Sequence, residues 1–259
     1  MIISEITESL HDLAFHTTES LAQLTGVSRA AIVRLTRKLG YTGFTELRNL
    51  ARQEVKTGTH SPLARFTQTD DDPEPTTLLG RKIRQDVRNL SLSQELVGRA
   101  LPAAADTAAK APAVFVLGAR KSYGLAIYFG RLLKDIRDNV HIVDPGYPDD
   151  LARCGKGDVV IALLFRRYST ATVNLIEHAK RRGARIILVT DGASHGFTIR
   201  IDHLLVATTD SPTLYHSMVA PLSLLELLGQ EIAAQDPSAT RASLERAERF
   251  TDAQGALLE

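Results

Sequence analysis

The stretch TESLAQLTGVSRAAIVRLTRKL, residues 18–39, decides the fold of the N-terminal part of the chain. Thr18 can cap a first helix, Gly26 can end it with a left-handed backbone, and Ser28 can cap a second helix. Ala22 is small enough to let the two helices cross closely. The spacing of four apolar residues suits a joint core: Leu21, Val27, Ile32 and Leu35. A short helix, a tight glycine turn and a second helix are typical of a DNA-binding helix-turn-helix.

Charge is distributed unevenly around this motif. Residues 28–56 carry a net charge of +5, whereas residues 1–27 carry −4, although the whole chain balances 31 basic against 30 acidic residues. A nucleic-acid surface must therefore be local, and it falls on the second helix. A plain helical hairpin with a solvated basic face is the alternative. The helix-turn-helix predicts that Ser28, Arg29 and Ala30 lie near base edges, with phosphate or groove contacts from Arg34, Arg37 and Lys38.

Composition excludes several classes of protein. The chain has 259 residues, enough for one large domain or two small ones, and a single cysteine, Cys154. One cysteine rules out a disulfide framework and a multi-thiolate zinc site, and the eight histidines show no metal spacing. We therefore expect neither a metal nor a cofactor. The longest apolar run, residues 159–165, is too short to cross a bilayer, and the N-terminus is acidic where a signal peptide would be basic. These features predict a cytoplasmic protein without a membrane partner.

The second half of the chain alternates apolar β-branched runs with helical stretches. Such runs are typical of parallel strands buried on both faces, so the pattern predicts an open α/β sheet with right-handed crossovers. Five strands are predicted at residues 114–117, 140–143, 159–164, 185–189 and 203–207. The intervening helices are predicted at residues 122–136, 170–182 and 217–234.

The domain boundaries follow from changes in composition. Residues 1–56 are predicted to be helical and to form the DNA-binding domain, and residues 57–76 mix Gly, Pro, Thr and acidic residues as a linker does. Residues 77–259 form the α/β domain. A helical pattern starts at Leu78, and Pro102 is expected to interrupt it. The tail from Asp236 is predicted to be a last, solvated helix.

Residues 26–48, GVSRAAIVRLTRKLGYTGFTELR, resemble the N-terminal domain of RpiR/MurR-family transcriptional regulators. The pattern of that family is G-V-S-x-A-T-V-x-R-F-x-R-K-L-G-F-x-G-F-x-E-L-K/R, and the similarity extends over residues 17–55. Several further positions fall on it: Gly40, Gly43, Phe44, Glu46 and Leu47. The resemblance implies that a sugar isomerase (SIS) domain follows, with a flavodoxin-like five-stranded parallel sheet that binds phosphorylated sugars. Residues 113–235 are similar to such a domain.

The loop after the first predicted strand, residues 118–124, opens a helix. Ligands of open α/β sheets bind outside the carboxyl ends of the strands, and a helix N-terminus favours an anion. A dinucleotide fingerprint would need glycine at positions 120 and 123, where the chain has Arg120 and Tyr123, so an NAD site is not supported. The spacing is similar to the G-x-G-x-S loop of SIS domains. This similarity makes Ser122 a hydroxyl donor and places Arg120 at the second glycine.

The loop after the third predicted strand carries unusual charge. SIS domains that bind sugar phosphates have S-x-S-G-x-T/S there, whereas this chain has Arg166 and Arg167 in place of a serine and the glycine, and Ser169 aligns. Two arginines at a helix N-terminus suit a carboxylate or a phosphate, although one of them could instead pair with Asp191. Ser194, after the fourth strand, is a further candidate contact. The extra charge predicts an effector more acidic than a simple hexose phosphate, such as a sugar acid phosphate.

Three classes of function are compatible with two such domains. A DNA-binding regulator that senses a small anion uses both domains, whereas an architectural DNA-binding protein leaves the α/β domain unexplained. A phosphosugar isomerase would need a general base, for which Glu226 and His216 are the candidates by analogy. No paired carboxylates or Ser/His/Asp arrangement can be recognised locally, so the sequence favours a regulator that is not an enzyme. The apolar helix near residues 221–228 predicts a homodimer or homotetramer that binds double-stranded operator DNA.

Overall fold

The structure is a computed structural model, and it describes residues 17–25, 27–38, 41–49, 62–67, 77–98, 100–192 and 200–254. The chain divides into two compact units. The first contains the described residues up to Lys82 together with Gly192 and Ser211–His216, and the second contains Ile83–Asp191, residues 200–210 and the described residues from Ser217 onward. None of the described helices is long and apolar enough to span a membrane.

The first unit begins with α1 (Thr18–Thr25) and α2 (Arg29–Lys38), followed by α3 at residues 44–49 and a short α4 (Pro62–Thr67). The helix-turn-helix prediction thus holds for the described residues, while its turn residue Gly26 lies outside them. The small core of this unit joins Leu21 and Ile32 of the two motif helices to Phe44 and Leu47 of α3. Helix α4 lies inside the segment that the sequence assigns to a linker.

The second unit is an α/β domain whose helices alternate with strands. Its helices are α5 (Leu78–Val97, beginning in the first unit), α6 (Ala100–Ala109), α7 (Ser122–Ile136), α8 (Thr170–Arg181), α9 (Val219–Gln235) and α10 (Pro237–Ala253). A 3-10 helix covers Pro148–Arg153. The strands are β1 (Val114–Gly118), β2 (Val140–Val143), β3 (Val159–Leu164), β4 (Arg185–Thr190) and β5 (His203–Val206). All five predicted strands are confirmed, with ends that differ by at most one residue.

The five strands form one sheet in the order β2-β1-β3-β4-β5, and every pairing is parallel. Strand β3 is buried along its whole length because both faces of the sheet are covered. Its odd-numbered residues belong to a core cluster shared with α6, α7 and α9, and α8 packs against β3 and β4. Successive strand side chains point to opposite faces, which explains why continuous apolar runs identified the strands.

Pro102 does not end the helix that starts at Leu78, contrary to the sequence prediction. The helix α5 ends at Val97, and Gly98 follows with a φ of 41°, a left-handed conformation that glycine adopts without strain. Pro102 instead lies in the first turn of α6, where a missing N–H leaves no helical hydrogen bond unmade. The last helix, α10, is confirmed, and the Asp236 carboxylate caps it by accepting a hydrogen bond from the backbone N–H of Ala239.

Candidate functional sites in the two domains

The N-termini of both motif helices are capped by hydroxyl side chains. Thr17 Oγ1 accepts a hydrogen bond from the backbone N–H of Ser20 (3.0 Å), and Ser20 Oγ accepts one from that of Thr17 (2.9 Å). This reciprocal pair makes Thr17 the cap of α1, one residue before the predicted Thr18. Ser28 caps α2 as predicted, because its Oγ accepts from the backbone N–H of Ala31 (3.2 Å). The caps fix where the second helix begins.

The exposed side of α2 carries the residues predicted to contact DNA. Ile32 is buried against α1, whereas five of the six candidates are exposed: Ser28, Arg29, Ala30, Arg34 and Arg37. Lys38 ends the helix, and its side chain lies outside the described part of the chain. The arrangement therefore leaves a basic helix face free for a polyanion while its opposite face holds the core.

Two acidic residues organise the polar contacts of this unit. Glu19 of α1 forms an ion pair with the guanidinium of Arg29. Glu46 accepts hydrogen bonds from the backbone N–H (2.6 Å) and the hydroxyl (2.7 Å) of Thr42, and these bonds lower the pKa of its carboxyl. The Glu46 contact ties the start of α3 to the preceding turn, which is a structural reason for that glutamate in the motif.

In the α/β domain, the sheet order places the two predicted ligand loops side by side. Strand β1 lies between β2 and β3, so the strand order reverses between β1 and β3, which is where ligands bind in open α/β sheets. The register pairs Gly118, the last residue of β1, with Leu163 of β3. The loops at residues 119–121 and 165–169 therefore begin side by side at the carboxyl ends of β1 and β3, as predicted.

Ser122 begins α7 and lies under the first of these loops. Its hydroxyl donates a hydrogen bond to the backbone carbonyl of Ala119 (2.8 Å). A Cβ at Gly118 would come within 2.6 Å of the carbonyl oxygen of Ser122, so the close approach of strand and helix requires glycine there. No described side chain caps the first turn of α7, where the backbone N–H of Tyr123 donates to the Arg120 carbonyl (3.3 Å), and the positive end of the helix dipole favours an anion there.

Three cationic side chains lie on the two loops. Arg120 and Arg167 are exposed, and both have left-handed backbones, with φ of 57° and 65°. Lys121 lies next to them, and its pKa is lowered by partial desolvation and by the positive charges of Arg120 and Arg167. The sequence predicts a ligand contact from Arg167 but not from Arg120 or Lys121. The signal for Arg120 was present, because an arginine occupies a family glycine position in that loop too.

Arg166 belongs to a largely buried network around Asp191. Its guanidinium Nε lies 3.5 Å from Asp191 Oδ2, and its backbone N–H donates to the same oxygen (3.0 Å). The hydroxyls of Tyr168 (2.9 Å) and Thr209 (3.2 Å) also donate to the Asp191 carboxylate. Burial raises the pKa values of both Asp191 and Tyr168. The intradomain ion pair that the sequence left open is thus the arrangement in the structure.

Ser169 caps α8, because its Oγ accepts a hydrogen bond from the backbone N–H of Thr172 (3.4 Å). Its position at the second loop agrees with the prediction, and a ligand contact from it stays a prediction. Ser194 lies outside the described residues. The structure therefore places Ser122, Arg167 and Ser169 at the carboxyl ends of the two adjacent strands β1 and β3.

The two candidates for a general base have other partners. Glu226 is exposed on α9, where its Oε1 accepts a hydrogen bond from the hydroxyl of Tyr128 on α7 (2.7 Å), a contact that raises the pKa of Tyr128. His216 Nδ1 lies 3.4 Å from a guanidinium nitrogen of Arg65 on α4. Neither contact involves the loops after β1 and β3.

Comparisons with known proteins agree with both domains. Residues 1–58 match the helix-turn-helix domain of the rpiR family, and residues 108–230 match the SIS domain. The sugar isomerase domain of an RpiR transcription factor from Sphaerobacter thermophilus is 25% identical, with a TM-score of 0.62, and the alignment covers 67% of this chain and 99% of that one.

Two further solved structures share the fold. The Vibrio vulnificus NanR protein, complexed with ManNAc-6P, is 19% identical with a TM-score of 0.64, over 97% of this chain and 91% of that one. A phosphoheptose isomerase from Francisella tularensis is 14% identical with a TM-score of 0.51, over 61% of this chain and 99% of that one. The fold thus occurs both in an RpiR transcription factor and in an enzyme.

The fold and the two domain matches define a helix-turn-helix protein with a C-terminal SIS domain, the architecture of a transcriptional regulator. Residues 1–58 form a helix-turn-helix domain of the rpiR family and residues 108–230 a SIS domain, as the sequence motif predicts.

Proposed function

We propose that this protein is a DNA-binding transcriptional regulator whose SIS domain senses a small anionic metabolite, a phosphorylated sugar or sugar acid. The observation that carries the proposal is the presence in one chain of an rpiR-type helix-turn-helix with an exposed basic helix and of a SIS domain. The similar NanR protein is complexed with a phosphorylated amino sugar, ManNAc-6P, which supports this class of effector.

The effector is proposed to bind beyond the carboxyl ends of β1 and β3. The N-terminus of α7, the guanidinium of Arg167 and the hydroxyls of Ser122 and Ser169 supply donors for an anion, and the Ser122 hydroxyl does so by exchanging its bond to the Ala119 carbonyl for one to the ligand. Arg166 is assigned a supporting role, because its ion pair with Asp191 holds the second loop against the end of β4. Binding there would change the population of conformations available to a dimer and thereby its affinity for operator DNA.

A phosphosugar isomerase is the second candidate, because the phosphoheptose isomerase shares the fold. The position of Glu226 weighs against it, since this residue bonds to Tyr128 between α7 and α9 rather than at the strand ends.

One preparation of the full chain can test both functions. The protein would be used to select duplexes from a random pool, and in parallel phosphorylated aldoses would be followed for isomerisation by NMR. We expect enrichment of one operator sequence and no turnover. Turnover without sequence-selective enrichment would overturn the proposal in favour of an enzyme.

A further inference from the structure

Two loops of the SIS domain carry arginine where the backbone favours glycine. Arg120 and Arg167 have φ of 57° and 65°, a region that is strained for a residue with a Cβ and open to glycine. Both positions correspond to glycines in the loop patterns that this chain otherwise resembles. Strain of this kind persists where the side chain has a use, and here it occurs twice at one edge of the sheet.

The two arginines and Lys121 bring three positive charges together. Gly118 pairs with Leu163 in the sheet, and the cations follow these residues within a few positions on the adjacent loops. The influence of both arginines on the pKa of Lys121 agrees with their proximity. Neither Arg120 nor Arg167 forms an ion pair with a described carboxylate, so their mutual repulsion is uncompensated within that part of the chain.

The hydroxyl that the family pattern offers to a ligand is engaged within the chain. Ser122 donates its hydroxyl hydrogen to the Ala119 carbonyl. Guanidinium and ammonium groups are stronger partners for anions than hydroxyls, and each added charge-assisted hydrogen bond favours a more highly charged ligand.

We infer that Arg120, Lys121 and Arg167 form a cationic clamp for a ligand with two separate anionic groups, a phosphate together with a carboxylate or a second phosphate. The inference rests on the proposed function, because it assigns the chemical class of effector to the same edge of the sheet. The clamp holds the second anionic group, while the N-terminus of α7 remains available to the first. The cost of two left-handed arginines and of their repulsion is offset when that ligand binds.

The double variant Arg120→Gly/Arg167→Gly tests the clamp, because glycine suits both backbones. Calorimetry would compare two pairs of probes: glucose 6-phosphate with 6-phosphogluconate, and fructose 6-phosphate with fructose 1,6-bisphosphate. For the wild type we expect the second anionic group to strengthen binding about tenfold or more in at least one pair. In the glycine variant this ratio should fall close to one, while its melting temperature rises because strain and repulsion are removed.

The control Arg131→Gln/Lys134→Gln removes two exposed charges elsewhere on α7 and should keep the wild-type ratio. The clamp would be overturned if the wild type bound both members of each pair with equal affinity, or bound none of the four probes. It would also be overturned if the glycine variant kept the affinity ratio of the wild type. The proposed function fails separately, if no phosphorylated sugar or sugar acid changes the affinity of the protein for its operator.

Discussion

Arg29 is the residue for which sequence and structure give the clearest expectation about DNA recognition. It is exposed at the start of α2, as a residue that contacts base edges should be, and it forms an ion pair with Glu19 of α1. An exposed pair of this kind contributes about 0–1 kcal/mol, so DNA can displace the carboxylate at little cost. The pair also keeps the guanidinium near the N-terminus of the helix that is proposed to enter the major groove.

Replacing Arg29 by alanine should weaken binding to the selected operator by about 1–3 kcal/mol and relax the base preference at one position. Fluorescence anisotropy on a set of single-base operator variants measures both effects. Arg34→Ala is the matched control, because a phosphate contact should weaken binding to all sequences alike. An equal loss for every sequence with Arg29→Ala would show that Arg29 contacts no base.

Asp191 should matter for stability rather than for direct contact with a ligand. Its side chain is only 1% exposed and compensates Arg166, which is 17% exposed. Asp191→Ala leaves a largely buried guanidinium without its counterion, so we expect a loss of about 3–5 kcal/mol in the free energy of unfolding. Tyr168→Phe removes one hydrogen bond from the same carboxylate and should cost about 1 kcal/mol. Urea unfolding followed by circular dichroism would contradict this account if the two losses were equal.

At the scale of elements, the strands were the most predictable part of the chain. Strands such as β3 are buried on both faces, so uninterrupted apolar runs identify them without tertiary information. Helix ends were less predictable, since Pro102 and Gly98 are both breakers and only the backbone shows which one ends α5. The short α4 is too brief to produce a periodic pattern, so the sequence predicts a linker there.

The candidate site could be predicted in part for a similar reason. Ligands bind at the carboxyl ends of strands in open α/β sheets, and this rule predicts the two loops from sequence. The pairing of β1 with β3 places these loops side by side in the structure. The partner of Arg166 lies 25 residues away, and nothing local selects Asp191 over a ligand. The sequence shows Arg120 only as a departure from the glycine pattern and does not single out Lys121, because the left-handed backbone and the convergence of charge are properties of the folded chain.

Two glycines of α7 should respond in opposite ways to the same substitution. A Cβ at Gly124 would meet nothing within 4 Å, so Gly124→Ala should stabilise the domain by about 0.5–1 kcal/mol through helix propensity. A Cβ at Gly130 would lie 2.4 Å from Cγ1 of Ile142 on β2, so Gly130→Ala should destabilise it by about 1–3 kcal/mol. Thermal unfolding of both variants measures the signs. Stabilisation by Gly130→Ala would contradict the close packing of α7 on β2.

At the scale of the whole molecule, we expect at least a homodimer held largely by the α/β domains. Apolar side chains remain exposed on two helices of the single chain: Leu79, Ile83 and Val87 on α5, and Val219 and Leu227 on α9. A two-fold partner would also present two recognition helices to half-sites about one helical turn apart or a multiple of it. Analytical ultracentrifugation at micromolar concentration should show the dimer. A monomer both with and without operator DNA would exclude it.

The affinity of the full chain for its selected operator, measured with and without phosphorylated sugars and sugar acids, tests the central claim most directly. The account predicts that at least one such anion changes the operator affinity. It further predicts that Ser122→Ala/Arg167→Ala abolishes this response while the affinity without ligand stays close to that of the wild type, because the two sites lie in different domains. A double variant that responds to the same anion as the wild type does would contradict the proposed site. An operator affinity that no anion of this class changes would contradict the proposal that the protein is an anion-sensing regulator.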